Sequence, residues 1–145
     1  MQNEFSWIVE RLPYTNPFLF VDVIQEIDED HIVGSFTFRK DLLFYEGHFK
    51  NNPITPGVIL TECMAQIGLV SLGIYLMKDK SIDNLAIGLT SAKTDFYIPV
   101  LPGETVRVEA IKEVFRFNKL KCSCKMYNVD EKLVCRGDIA GMLKG

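Results

Sequence analysis

His48 and Glu62 stand fourteen residues apart within the stretch GHFKNNPITPGVILTECMAQIG. Histidine is the side chain whose ordinary pKa suits a base near neutral pH. His48 lies in an irregular loop between Gly47 and Phe49, and loops on a rigid frame are where reactive groups concentrate. Glu62 is the only carboxylate in the longest apolar run. A carboxyl buried without a cation is driven toward its protonated form, and a neutral carboxyl in an apolar slot donates a proton well. Gln66, four residues on and on the same helical face, is placed to orient it. Pro56 opens a helix readily, and the amides of Gly57 and Val58 then lie where a helix has no internal acceptors. They suit a carbonyl oxygen that gathers negative charge. Base, acid and oxyanion donor together describe proton abstraction beside a carbonyl with acid-assisted loss of a hydroxyl, a β-elimination of water. Plainer readings stand beside this one. The helix dipole favours an early carboxylate without any chemistry, a lone histidine often serves structure alone, and Gly57 suits a simple turn. His31, at the edge of a hairpin turn, is expected to face solvent and is a much weaker candidate than His48.

These side chains need elements to hold them. Phe5, Ile8 and Leu12 recur at helical spacing, so residues 3–11 predict a short helix, stopped by LPYTNP. FLFVDVIQEI and HIVGSFTFRK read as strands joined by the polar turn DED, a hairpin. Residues 40–56 are irregular, and a long helix covers 57–77. After KDKSIDN come four strand-like segments: LAIGLTSAKTDFY, ETVRVEAIKEVFRF, KLKCSCKMYNV and KLVCRGDIAGMLK. In the third, Leu120, Cys122, Cys124 and Met126 alternate with Lys119, Lys121, Ser123 and Lys125, the pattern of a half-buried antiparallel strand. Strands that run consecutively after one helix favour an α+β plan over a doubly wound parallel sheet. The helix is apolar nearly all round and must be buried all round, which a curved antiparallel sheet wrapped on it achieves. One sheet covers such a helix incompletely, so a partner subunit is expected. A membrane span is the competing reading of the helix by length, weakened by Glu62, Gln66, Gly68, Ser71 and Gly73.

The chain of 145 residues is the length of a single domain, 1–145, with 48% hydrophobic and 24% charged residues, enough for a core without metal or disulfide. A net charge of -3 and the lack of any Lys/Arg block exclude nucleic acid as the expected partner. Cys63, Cys122, Cys124 and Cys135 form no C-x2-C pair, and two histidines cannot complete a zinc site, so no metal is expected and the thiols read as buried and reduced. MQNEFSWIVERLP lacks the apolar core of a signal peptide, so the expected location is cytoplasmic.

LPYTNPFLFVD, GHFKNNPITPGVILTECMAQIG and FYIPVLPGETV, in that order and spacing, resemble the 3-hydroxyacyl-acyl-carrier-protein dehydratases of the hot-dog fold. The resemblance implies that His48 removes the C2 proton and that Glu62 faces the 3-hydroxyl. It also assigns substrate binding to Gly57, Val58, Gln66 and Phe49. Glutamate rather than aspartate at 62 resembles the branch that dehydrates without isomerising. The implied fold is a hot-dog sheet around one long helix. The implied assembly is a homodimer or trimer of dimers, each site taking its histidine from one chain and its carboxylate from the other. The implied substrate is a 3-hydroxyacyl-phosphopantetheine on an acyl carrier protein, in fatty-acid or related polyketide or pigment biosynthesis, with no cofactor. The chain departs from the family pattern at Tyr14-Thr15, where a histidine-arginine pair is usual. It departs also at Lys50 and Thr55, and at Asp95, Tyr97 and Ile98, where basic residues that receive the carrier are usual. Alternatives on the same scaffold are an acyl thioesterase, acting on acyl-coenzyme A or acyl carrier, and a non-enzymatic acyl-chain binder.

Overall fold

The computed structural model describes residues 3–80 and 86–144. A short helix, α1 (Ser6–Arg11), precedes the hairpin of β1 (Val23–Ile27) and β2 (His31–Thr37). A 3-10 turn (Leu43–Glu46) and an irregular loop lead to the long helix α2 (Gly57–Leu76). Four strands follow, β3 (Ala86–Phe96), β4 (Thr105–Arg116), β5 (Lys119–Tyr127) and β6 (Leu133–Lys144). All six strands form one antiparallel sheet in the order β1-β2-β4-β5-β6-β3. The α+β plan read from the sequence is the observed one.

Period-two patterning decides which face of the sheet meets α2. Ile32, Gly34 and Phe36 of β2 pair in register with Ala110, Val108 and Val106 of β4, and all six are buried. Leu120, Cys122, Cys124 and Met126 of β5 point the same way, as the alternation with lysines predicts. All four cysteines are buried free thiols. The middle of α2 is a π-helical segment, Ala65–Val70, every residue of which is buried. Gly68 brings it close to the sheet: a methyl there would stand 2.8 Å from Cys124 Sγ and 2.9 Å from Ala110 Cβ. The helix is long and apolar enough to cross a bilayer, yet 72% of its apolar window is buried inside the protein, so it is core and not a span.

Two local expectations are corrected. The first helix begins at Ser6 rather than residue 3, and β1 begins at Val23 rather than residue 18. Side-chain hydrogen bonds from Gln66 engage the backbone of Phe18 and Phe20 and keep that stretch out of the ladder. His31 stands at the hairpin turn with 39% of its side chain exposed, and its ring pairs with Asp28 (2.9 Å) and Glu26 (3.7 Å). The turn KDKSIDN falls in part outside the described residues. At the far end of the sheet β3 pairs with β6 alone among the described strands, and its other long edge presents unpaired backbone groups.

Candidate active site

The histidine loop is built from backbone hydrogen bonds. The 3-10 turn ends when Gly47 N and His48 N both donate to Phe44 O, at 3.2 and 3.1 Å. Ile54 N then donates to His48 O at 3.0 Å, and Thr55 N donates to Val100 O at 2.9 Å, tying the end of the loop to the segment before β4. The ring is fixed from both sides. His48 Nδ1 lies 3.0 Å from Ile54 O, and Phe49 stacks on the imidazole with centroids 4.3 Å apart. A carbonyl oxygen only accepts, so the neutral ring carries its hydrogen on Nδ1 and leaves the Nε2 lone pair free. His48 lines a cavity of about 450 Å³ with Phe49, Gly57, Phe96, Tyr97 and Ile98 among its walls. A methyl on Gly57 would sit 3.1 Å from the Phe96 ring, so the missing side chain lets that ring lie against the helix start. Ile59 N and Leu60 N both donate to Pro56 O. The amides of Gly57 and Val58 precede these first helical bonds and need another acceptor.

Glu62 is built differently. Its Oε2 accepts from Gln66 Nε2 at 2.9 Å. The second hydrogen of that amide goes to Phe18 O at 3.0 Å, and Gln66 Oε1 accepts from Phe20 N at 2.7 Å. Gln66 is fully buried and uses both donors and its acceptor, so one side chain clamps the carboxyl and docks the N-terminal segment. Burial raises the Glu62 pKa, and the bond from Gln66 opposes this in part. Tyr14, on the docked segment, has its phenol pushed up to about 12 by burial and by the charge of Glu62.

One chain does not bring all the predicted residues together. His48, Phe49 and Gly57 share the cavity, whereas Glu62 and Gln66 do not line it, and the Val58 side chain is 77% exposed outside it. The reason is helical geometry: five residues from Gly57 to Glu62 rotate the side chain roughly 140° around α2. Sequence reasoning passed over Tyr45, whose hydroxyl is 2.5 Å from Thr55 Oγ1. A polar aromatic three residues before the histidine was the available signal. Among the described residues no three His, Cys, Asp or Glu side chains group as metal ligands do.

An antiparallel sheet wrapped around one buried helix, with a histidine loop at the helix start and a clamped carboxyl on the helix, defines a hot-dog protein. Solved structures carry the same fold. The dehydratase heterocomplex ApeI:P from Xenorhabdus doucetiae superposes with a TM-score of 0.80 at 13% identity, covering 94% of this chain and 91% of that one. A hypothetical thioesterase with coenzyme A from Streptococcus pneumoniae TIGR4 does so with a TM-score of 0.66 at 11% identity, covering 98% and 95%. Residues 12–138 match the FabA-like domain. The 3-hydroxyacyl-[acyl-carrier-protein] dehydratase FabZ of Sinorhizobium medicae is 36% identical over 137 residues, 94% of this chain and 86% of its own. The enzyme of that name from Clostridium perfringens is 33% identical over 136 residues, 91% and 92% of the two chains. The chain belongs to the FabA-like family.

Proposed function

We propose that this chain, a single domain, is a 3-hydroxyacyl-acyl-carrier-protein dehydratase that converts a 3-hydroxyacyl thioester to the trans-2-enoyl thioester. The carrying observation is the His48 ring, held at Nδ1 by Ile54 O and lining an apolar cavity that also contains the helix start at Gly57. In the proposed reaction the Gly57 amide, with Val58 beside it, receives the thioester oxygen and stabilises charge as the C2–H bond breaks. Nε2 takes that proton. The electron pair forms the C2–C3 double bond and expels the 3-hydroxyl, which receives a proton from the Glu62 carboxyl and leaves as water. The imidazolium and carboxylate then exchange a proton through solvent. Burial of Glu62, which favours its neutral form, supports the acid role, and Gln66 orients the group.

In this reading a second copy supplies the carboxyl, which is supported by the absence of Glu62 from the lining of its own chain's His48 cavity. The open edge of β3 supports a homodimer in which two such edges pair into one sheet, and trimers of these dimers are a further level. The acyl chain runs between Phe49, Phe96 and Tyr97. The carrier protein approaches from the cavity mouth, and the enzyme works in the cytoplasm.

The test is incubation with 3-hydroxyacyl thioesters on carrier protein, following enoyl formation and thioester survival together. An enoyl group still attached to the carrier is the expected product. Free acid with free thiol identifies a thioesterase and overturns the proposal. Glu62→Gln is expected to lose activity severely while keeping the fold, since an amide fills the slot and accepts from Gln66 but supplies no proton.

A further inference from the structure

Beneath the histidine loop lie two buried hydroxyls that the elimination itself does not use. Tyr45 is 6% exposed and Thr55 is 4% exposed, and their oxygens are 2.5 Å apart. Their places in the chain are informative. Tyr45 comes three residues before His48, and Thr55 directly follows Ile54, whose carbonyl takes the hydrogen of His48 Nδ1. The intervening loop has almost no apolar anchorage: Gly47, Phe49, Lys50, Asn51, Asn52 and Pro53 are all exposed. Its position is therefore set at its two ends, and the Tyr45–Thr55 contact joins those ends. Thr55 N in turn donates to Val100 O, so the joined ends are anchored to the segment leading into β4.

We propose that the Tyr45–Thr55 hydrogen bond is a positioning strut: it closes the loop, fixes the Ile54 carbonyl, and through that carbonyl sets the tautomer and aim of the His48 ring. Neither residue touches the reacting atoms in this role. The bond suits the task because both residues are buried. An unpaired buried hydroxyl is costly, so each group holds the other in place. Burial also raises the Tyr45 pKa, which keeps the phenol in the protonated form that can donate. The inference rests on His48 being the base, and the experiment separates the two ideas.

Thr55→Val keeps the shape and removes one hydroxyl; Tyr45→Phe removes the other; Thr55→Ser keeps the bond. With 3-hydroxyacyl carrier as substrate, each of the first two is expected to lower kcat by roughly 10–100-fold, as small misplacements of a reacting group do. KM should stay within about twofold for Tyr45→Phe, because Tyr45 does not line the cavity, whereas Thr55 does. Ring 15N signals of His48, assigned by their loss in His48→Ala, should move from a single Nδ1–H tautomer toward an averaged pair. Thr55→Ser should recover both readouts. The double variant Tyr45→Phe/Thr55→Val should be no worse than the worse single variant, because the two remove the same bond. It also leaves no unpaired hydroxyl, so it tests the strut even if a single variant folds poorly. Unchanged kcat and tautomer in Tyr45→Phe and the double variant overturn the proposal. If His48→Ala retains turnover while the ring signals still respond to Thr55→Val, the base assignment falls and the strut stands.

Discussion

On one side of α2, His48 is held by a loop whose polar groups are satisfied one at a time, through Phe44 O, Ile54 O and Val100 O. On the other, Glu62 rides on a rigid helix and is held by one side chain, Gln66, which also carries the N-terminal segment. The loop is mostly exposed, and Gln66 is wholly buried. Damage to the first region should misplace a reacting group at little cost in stability. Damage to the second should cost stability and activity together, because the hub that aims the carboxyl also holds the fold.

The sharpest break of this comparison is His48→Ala. Loss of a general base is expected to reduce kcat by ~10²–10⁴-fold, with the thermal midpoint nearly unmoved. Mixing unfolded His48→Ala and Glu62→Gln chains and refolding them together should return about a quarter of wild-type activity: about half the dimers are mixed, and each has one intact site of two. No recovery would mean that the two regions do not serve one site across a two-fold axis. Next in size is Gln66→Leu, which leaves Phe18 O and Phe20 N without their side-chain partner. Of the two only Phe20 N is buried, and leaving it unpaired should lower stability by roughly 1–3 kcal/mol in denaturant unfolding, with activity falling alongside. A variant that lost activity alone would show that the hub and the acid are separable.

Gly68→Ala sharpens the contrast from the core. A methyl 2.8 Å from Cys124 Sγ overpacks the π-helical segment and should cost about 1–3 kcal/mol, read as a shifted midpoint, while the His48 loop keeps its geometry. The smallest expected effect lies at His31, far from either region. Its hydrogen bond to Asp28 raises its folded-state pKa, although burial opposes this. Stabilisation from a raised pKa is fully present below the unfolded value and lost as pH rises through the folded one. Wild type should therefore lose a little stability relative to His31→Gln as pH climbs past neutrality. Stability curves that stay parallel with pH would remove the pair from consideration. Glu62 gives a slope of the same sign for a different reason: burial disfavours its charged form and raises its pKa, so a destabilising cost sets in as pH rises through the titration of the carboxyl, and Glu62→Gln should flatten that slope.

Much of this was legible in the chain. The lysine alternation of residues 119–126 gave β5 its inward face, and the apolar run from Gly57 gave α2 its length and burial. The irregular course of the His48 loop was legible too, because Gly47, the asparagines and the prolines mark irregular backbone next to a helix start. The start of β1 was not, since FLFVD has strand composition and only a glutamine 46 residues away, donating to Phe18 O and accepting from Phe20 N, keeps it out of the ladder. Nor was the partnership of Tyr45 with Thr55, which depends on how the loop closes in three dimensions.

Residue types and their local periods determined the elements, the buried face of each strand and the identity of the ionisable groups, because those follow from neighbours three or four positions away. Tertiary structure decided which groups meet. It sent His48 and Glu62 to different sides of one helix, gave the imidazole its tautomer through a carbonyl six residues on, and left the β3 edge open. Such contacts arise from packing between distant segments, and their geometry is fixed only when the whole sheet closes on α2.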